Sequence, residues 1–407
     1  MSMGTIIDYI QEYGDYTFAE KPLSEVDSLI LSQFAYLKFD GLVPGPDENA
    51  PFISIRQVFE NQNYDNLYGD ERYREKNTKL FLAMVHSRRF GSLKMNYYVN
   101  QIELEKETQF SAVTFQPDEE LFYIAYRGTD ETIVGWKEDL NLAFSEPVPG
   151  QIMSVSYLED IAEKLGTHFY VGGHSKGGNF AVYAAMNCRP EIQDKIVMIF
   201  NHDGPGFRPE VREKSGFERI EEKICRTVPH SSMVGMLLSS EGSYRVVESK
   251  SFGLAQHDPY SWLIEKDDFR IVKHIYSGRM FMDTTLNDWI LSLNQEQMRI
   301  FVDTLYDVVK ASEADNLIDF TANWKKSIQG IMSAIKNVDA DTTRVMNDIM
   351  KALFDILSQN TKEELQTRKK NPDREFIGKK SIELSVRKHK AGNRKENNVQ
   401  EEQSSEK

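Results

Sequence analysis

THFYVGGHSKGGNFAVYAAMNC, Thr167 to Cys188, is the stretch that decides the fold. It opens on a short apolar run, Phe169-Tyr170-Val171, which reads as a buried strand. It turns through Gly172-Gly173-His174-Ser175-Lys176-Gly177-Gly178 and continues as a small-residue helix carrying Ala181, Ala184 and Ala185. Gly173, Ser175 and Gly177 form a G-x-S-x-G pattern in the strand–turn–helix setting that gives the pattern meaning. Such a turn is tight: positions two before and two after the serine face neighbouring backbone, and glycine removes the clashing Cβ. The serine is then held in a strained conformation with its hydroxyl above the sheet, where the helix points its positive end. Ser175 is the candidate nucleophile. The plainer alternative is a glycine-rich turn with a bystander serine.

Working outward, the segments on either side read as strands alternating with helices. Met95 to Glu103, Gln109 to Phe115 and Leu121 to Arg127 are strand candidates separated by polar turns. The first two partly alternate, as half-exposed antiparallel strands do, and the third is apolar almost throughout, as a central strand is. Gly128-Thr129-Asp130 follows it. Gln151 to Leu165 is helical by period, with Gly166 where a helix terminus favours glycine. Downstream, KIVMIF (residues 195–200) leads into Asn201-His202-Asp203-Gly204-Pro205-Gly206, and KICRTV (223–228) into Pro229-His230-Ser231-Ser232. Tyr244 to Glu248 leads through Gly253 to Gln256-His257-Asp258. This alternation predicts an α/β fold with a mostly parallel sheet and flanking helices. Upstream, Ile6 to Tyr13 is a short amphipathic piece. Ser24 is placed to cap a helix bearing Val26, Leu29, Ile30 and Leu37. Residues 39–63 read as loop, and Lys79 to Ser87 as a helix.

The pattern divides the chain into a domain over 1–285, a helical region over 286–360 and a charged tail over 361–407. In the helical region Asn294 and Gln297 make a capping box. Met298, Val302, Leu305 and Val309 share one face, and Trp324, Ile328, Ile331 and Ile335 another. Asp341 caps a third helix with Val345, Ile349 and Leu353. From Thr361 the chain is too poor in aliphatics to offset its ordering entropy and is expected to be disordered.

A net charge of −14 is the wrong sign for general nucleic-acid binding, which rests on neutralising phosphates with Lys and Arg. No C-x-x-C or H-E-x-x-H pattern points to a metal, and no cofactor is expected. The opening MSMGTIIDYIQEYGD has no basic segment followed by a long apolar core, so no signal peptide is expected. No apolar run approaches the length of a membrane span, so no stable membrane insertion is expected. Two cysteines, Cys188 and Cys225, in apolar elements suggest a reducing compartment. A cytoplasmic protein is the expectation. No protein partner is named for the helical region.

In a parallel sheet ligands sit beyond the carboxyl ends of the strands. The residues following the strands are Gly128-Thr129-Asp130, Ser175, His202-Asp203, His230-Ser231-Ser232 and His257-Asp258. These are the materials of nucleophilic acyl transfer. Serine needs a base, and histidine titrates near working pH. In hydrolases of this architecture the chain order is Ser, acid, His, which assigns the base to His257, with His230 and His202 as competitors. The usual acid position, after residues 223–228, holds no carboxylate. Asp203 is therefore the candidate acid, although an Asp before Gly-Pro-Gly is also an ordinary turn residue. Asp258 adjoins His257 and needs unusual backbone to reach its ring. The oxyanion requires two preorganised N–H donors, for which the candidates are Lys176 and Thr129.

YRGTD, GWKEDLNLAF, GGHSKGGNFAVYAA, NHDGPGF and QHD-x-x-x-W together resemble the Mbeg-like proteins, a bacterial family of α/β-hydrolase-like proteins. The opening TIIDYIQEYGDYTFAEKPLSEVDSLILSQFAYLKFD is similar to that family's N-terminus, so the resemblance spans roughly residues 1–270. More distantly the chain is similar to class 3 lipases, with a comparable RGT turn and G-H-S-x-G-G elbow. The resemblance implies Ser175 as nucleophile, His257 as base and Thr129 at the oxyanion. Two departures stand out: Lys176 occupies the place of the lipases' leucine, and no aspartate lies near Ser231-Ser232. Two functions follow as expectations. One is a serine hydrolase acting on a small-molecule or lipid-like ester. The other is a degenerate hydrolase serving as a binding or scaffold module.

Overall fold

A sheet runs through the molecule with its strands in chain order. In the computed structural model β1 (Ile53–Ser54), β2 (Lys94–Glu103), β3 (Thr108–Asp118), β4 (Leu121–Tyr126), β5 (Phe169–His174), β6 (Ile196–His202), β7 (Ile224–Pro229) and β8 (Arg245–Val247) lie side by side in that order. β1 to β4 pair antiparallel, and β4 to β8 pair parallel. The structure describes residues 4–61, 67–68, 73–103, 108–129, 138, 141–142, 147–213, 215–230, 232, 234–238, 243–251, 253–272, 287–289, 291–294, 296–297, 299–300 and 343–344. The mostly parallel sheet with flanking helices is the one the strand–helix alternation predicts, and it is consistent with the α/β-hydrolase fold the resemblance implies.

The helices divide between the two faces. α1 (Ile6–Tyr13), α2 (Glu25–Phe34) and α3 (Arg74–His86) precede most of the sheet, while α4 (Pro149–Leu165) and α5 (Lys176–Asn187) connect β4 to β5 and β5 to β6. Period-2 alternation sends Tyr123 and Ala125 of β4 into a core with Leu29, Ile30 and Phe34 of α2. It sends Ile124 and Tyr126 into a second core with Leu158 and Ile161 of α4 and Phe180, Ala181 and Ala184 of α5. Successive crossovers of one hand stack their helices on one face. The N-terminal helices therefore cover what would otherwise be a bare apolar face of the sheet.

Local chemistry sets the ends of these elements. Ser24 caps α2 by accepting the N–H of Asp27, whose carboxylate takes the Ser24 N–H at 2.8 Å. Gly166 ends α4 at φ 67°. The expected loop at residues 39–63 contains β1 and a short helix, Ile55–Glu60, because Ser54 and Gln57 form a reciprocal cap. α3 begins at Arg74, ahead of the expected Lys79, since its polar first turn carries no apolar signal. β3, expected to be half exposed, is buried over most of its length because both cores claim it: Phe115 faces α2 and Phe110 faces α5. At the start of the helical region Asn294 and Gln297 exchange backbone N–H bonds of 3.0 and 2.9 Å. The face beginning at Met298, the groups around Trp324 and Val345, and the tail lie outside the described residues, except for 299–300 and 343–344.

The N-terminal layer is held by one buried ion pair. Arg89 and Asp27 have fully buried side chains, joined at 2.7 Å through Nε and 2.6 Å through Nη2. Arg89 also donates to the carbonyls of Tyr16, Thr17, Lys21 and Pro22, and stacks 3.9 Å from the Phe18 ring. One guanidinium thus ties down the turn joining α1 to α2. Arg89→Met strands the Asp27 carboxylate in the core, which costs about 3–5 kcal/mol. Chemical denaturation of the variant is expected to show a correspondingly lowered midpoint, whereas exposed Lys79→Met leaves it within about 0.5 kcal/mol of wild type.

Candidate active site

Strand register sets which residues meet at the carboxyl edge. Tyr126 pairs with Gly173, His174 with His202, and His202 with Thr227. Ser175 and Asp203, each one residue past a strand, therefore emerge side by side. Ser175 has φ 58° and ψ −133°, a region a non-glycine residue adopts only when its surroundings force it. The surroundings are visible. A Cβ on Gly177 would lie 2.1 Å from the Tyr126 carbonyl oxygen, so the first turn of α5 is pressed onto the end of β4. The Ser175 N–H bonds to the His202 carbonyl at 2.9 Å.

Ser175 Oγ lies 2.8 Å from His257 Nε2, and His257 Nδ1 donates to Asp203 Oδ2 at 2.7 Å. Asp203 is fully buried, Ser175 is 9% exposed, and the His257 side chain keeps 27% of its surface. Solvent thus reaches the imidazole end of the array but not the carboxylate. Asp203 also adopts positive φ, 55°, and its N–H bonds to Thr227 O at 2.8 Å. Its Oδ1 accepts from Ser232 Oγ and, at 3.1 Å, from the Gly235 N–H. The loop after β7, where a carboxylate was expected and is lacking, therefore supplies a hydroxyl to the carboxylate of the neighbouring strand. Arg226 of β7 holds that loop by donating to Gly235 O.

The other histidines have separate partners. His202 is fully buried between Ser28 Oγ at 2.8 Å and Thr227 Oγ1 at 2.7 Å, and burial pushes its pKa down to about 3. His174 donates from Nε2 to His257 O at 2.9 Å and accepts at Nδ1 from Tyr36 OH at 3.1 Å. Burial, and then the neighbouring His257 and His202, hold His174 well below the usual imidazole range. His230 accepts from Gln256 Nε2 at 3.0 Å. The Q-H-D-x-x-x-W run is then legible residue by residue. Gln256 is anchored by its side chain, Trp262 donates to Gln256 O at 2.8 Å, and Asp258 pairs with Lys76 of α3 at 2.6 Å. Asp258 thus turns away from the ring it adjoins.

The residue after the serine has an unexpected environment. Lys176 is 1% exposed, and its ammonium lies 2.8 Å from Glu138 Oε2 and 3.0 Å from Gln109 Oε1. Glu138 is fully buried and also accepts the N–H groups of Gly150 at 3.0 Å and Gln109 at 3.2 Å. Asn179, one turn along α5, accepts from Gln151 and donates to the carbonyls of Pro205 and Gly206. Thr129 is half buried, just past a close approach at which a Cβ on Gly128 would meet Tyr36 OH at 2.0 Å. The sequence reading missed Glu138 and Tyr36 as parts of the site, and placed Ser232 at the edge without assigning it to the Asp203 carboxylate. A lysine in a small-residue helix start was the available signal for a buried carboxylate partner. Among the described residues no group of three or more His, Cys, Asp or Glu side chains is arranged to hold a metal ion, and no helix is long and apolar enough to cross a membrane.

A family model described as Mbeg1-like matches residues 84–307. No curated protein matches the sequence. Among solved structures, the chain is similar to the Rhizomucor miehei lipase–propeptide complex at 18% identity and a TM-score of 0.29, over 45% of this chain and 61% of that one. It is similar to M37 lipase at 15% identity and a TM-score of 0.34, over 54% and 70%. For the Yarrowia lipolytica Lip2 lipase the values are 12% and 0.31, over 47% and 76%. The chain thus spans under two thirds of the Rhizomucor enzyme's length.

The buried imidazoles give stability a defined pH dependence. An unfolded histidine takes up a proton near pH 6.5, whereas His202 resists protonation until about pH 3. Between those values the unfolded state binds more protons, so stability is lost as pH falls from 6.5 toward 3. Thermal melting across this window is expected to fall less steeply for His202→Gln, which bridges the same hydroxyls without titrating. Identical slopes would contradict the assignment of a neutral buried ring.

Proposed function

We propose that this chain, which belongs to the Mbeg1-like family, is a serine hydrolase of the lipase-like α/β class that cleaves a carboxylic ester. The observation that carries the reading is the continuous Ser175–His257–Asp203 array, with contacts of 2.8 and 2.7 Å, on a strained serine at the edge of the sheet. In this reading His257 Nε2 removes the Ser175 proton as Oγ attacks the ester carbonyl, forming a C–O bond and a tetrahedral oxyanion. The N–H groups of Lys176 and Thr129 stabilise that oxyanion. As the intermediate collapses, the bond to the leaving oxygen breaks and the imidazolium protonates the departing alcohol. Water, deprotonated by the same imidazole, then releases the acid and restores Ser175. Asp203 fixes the ring with Nδ1 protonated and Nε2 free to act as base, and stabilises the charge the ring acquires.

The competing reading, a degenerate module that only binds, drew on the lack of a carboxylate after β7. Asp203, seated behind the ring and held by Ser232 and Gly235, supports the hydrolase reading instead. The serine–imidazole pair suits acyl transfer from an ester of small-molecule or lipid-like character.

Hydrolysis of a series of p-nitrophenyl esters of increasing chain length checks the proposal. Wild type is expected to turn over at least one member. Ser175→Ala and His257→Ala should each lower kcat by at least about 10³-fold, and Asp203→Asn by about 10³–10⁴-fold. Turnover that survives Ser175→Ala undiminished would sink the mechanism.

A further inference from the structure

Lys176 and Glu138 form an ion pair that no step of the proposed mechanism uses. Both side chains are out of solvent, 1% and 0% exposed, and lie 2.8 Å apart. A buried ion pair is generally no more stabilising than a well-packed apolar pair of equal volume. The class 3 lipases that the elbow resembles carry leucine at the position of Lys176. Stability alone therefore leaves the pair unexplained, and its geometry is more informative.

Glu138 lies in the connection between β4 and α4, nine residues beyond Thr129. Its carboxylate draws together three separate elements: Oε1 takes the N–H of Gly150 in α4, and Oε2 takes the N–H of Gln109 in β3 and the ammonium of Lys176 in α5. Gln109 completes the cage by offering its side-chain oxygen to the same ammonium at 3.0 Å and its backbone carbonyl at 3.3 Å. Lys176 is the residue after the nucleophile. Glu138 also holds Gln109 of β3, the strand whose Ser111 carbonyl takes the N–H of Arg127 at 2.9 Å, two residues before Thr129. An aliphatic pair fills space but does not fix the separation of two segments, because it has no directional bonds.

We infer that Lys176 and Glu138 are positioning residues of the oxyanion hole, tying β3, and with it the end of β4 that carries Thr129, to the nucleophile elbow so that two N–H groups on different segments converge on one oxygen. The inference rests on the hydrolase reading of the preceding subsection. It predicts loss of transition-state stabilisation with ground-state binding unchanged, because donors aimed at a developing oxyanion act on kcat and not on KM.

The test uses the full chain with whichever p-nitrophenyl ester wild type hydrolyses, plus Lys176→Met/Glu138→Leu and Glu138→Gln. The double variant removes both charges and keeps comparable volume, so it is expected to melt within a few degrees of wild type. Its kcat should fall by about 10²-fold with KM within about twofold. Glu138→Gln keeps the shape and should lose kcat by about tenfold at unchanged KM, which tests the same point should the double variant fail to fold. Wild-type kcat in a folded double variant, or in Glu138→Gln, overturns the positioning role and leaves the hydrolase reading intact. No turnover by wild type, together with no labelling of Ser175 by a fluorophosphonate, overturns the hydrolase reading and this inference with it.

Discussion

At Ser175 the backbone leaves β5 at φ 58°, and everything around it exists to hold that angle. A side chain forced into such a conformation costs about 1–3 kcal/mol and persists only where neighbouring structure over-determines it. Three contacts do so here. Gly177 lies flush on the carbonyl of Tyr126, the Ser175 N–H bonds to His202 O, and the first turn of α5 packs its small residues into the core against β4 and β6. The result lifts a hydroxyl off the sheet toward an imidazole delivered by a loop 82 residues later in sequence.

That loop is held by polar anchors, and most of them come from outside the parallel sheet's own connections. The carbonyl of His257 is held by His174, which is held in turn by Tyr36 from the segment after α2. Asp258 is paired with Lys76 of α3, and Tyr260 bonds Asn77 of the same helix. The N-terminal layer therefore does two jobs. It closes the apolar face that the crossover helices leave bare, and it sets the height of the His257 ring above the Ser175 hydroxyl. The buried Arg89–Asp27 pair belongs to the same logic, since it fixes the turn that carries α2 into place.

How much of this was legible in the sequence depends on the range of the interaction. Local chemistry was readable: the glycine pattern around Ser175, the Ser24 cap, Gly166 at the end of α4, and the apolar runs that open β4, β5 and β6. Chain order pointed to His257 over His230; the His257 ring lies against Ser175 and the His230 ring against Gln256. Partnerships across long gaps were not readable. Nothing near Lys176 announces Glu138, 38 residues upstream, and nothing near Asp203 announces Ser232, because register and crossovers create those contacts. The burial of β3 was misjudged for a related reason: a second core, supplied by α4 and α5, covers the face that alternation assigned to solvent. The polar first turn of α3 and the short capped helix at Ile55–Glu60 escaped a search built on apolar periodicity.

The central claim is that a strained backbone and a distant imidazole together make one serine hydroxyl nucleophilic. Peptide mapping by mass spectrometry after treatment of the native, full chain with a fluorophosphonate tests it most directly. The account predicts a single stoichiometric adduct on the peptide carrying Ser175, absent when the protein is unfolded first or when His257 is replaced by alanine. An unmodified Ser175 peptide from the folded protein, or an adduct formed equally well without His257, would contradict it.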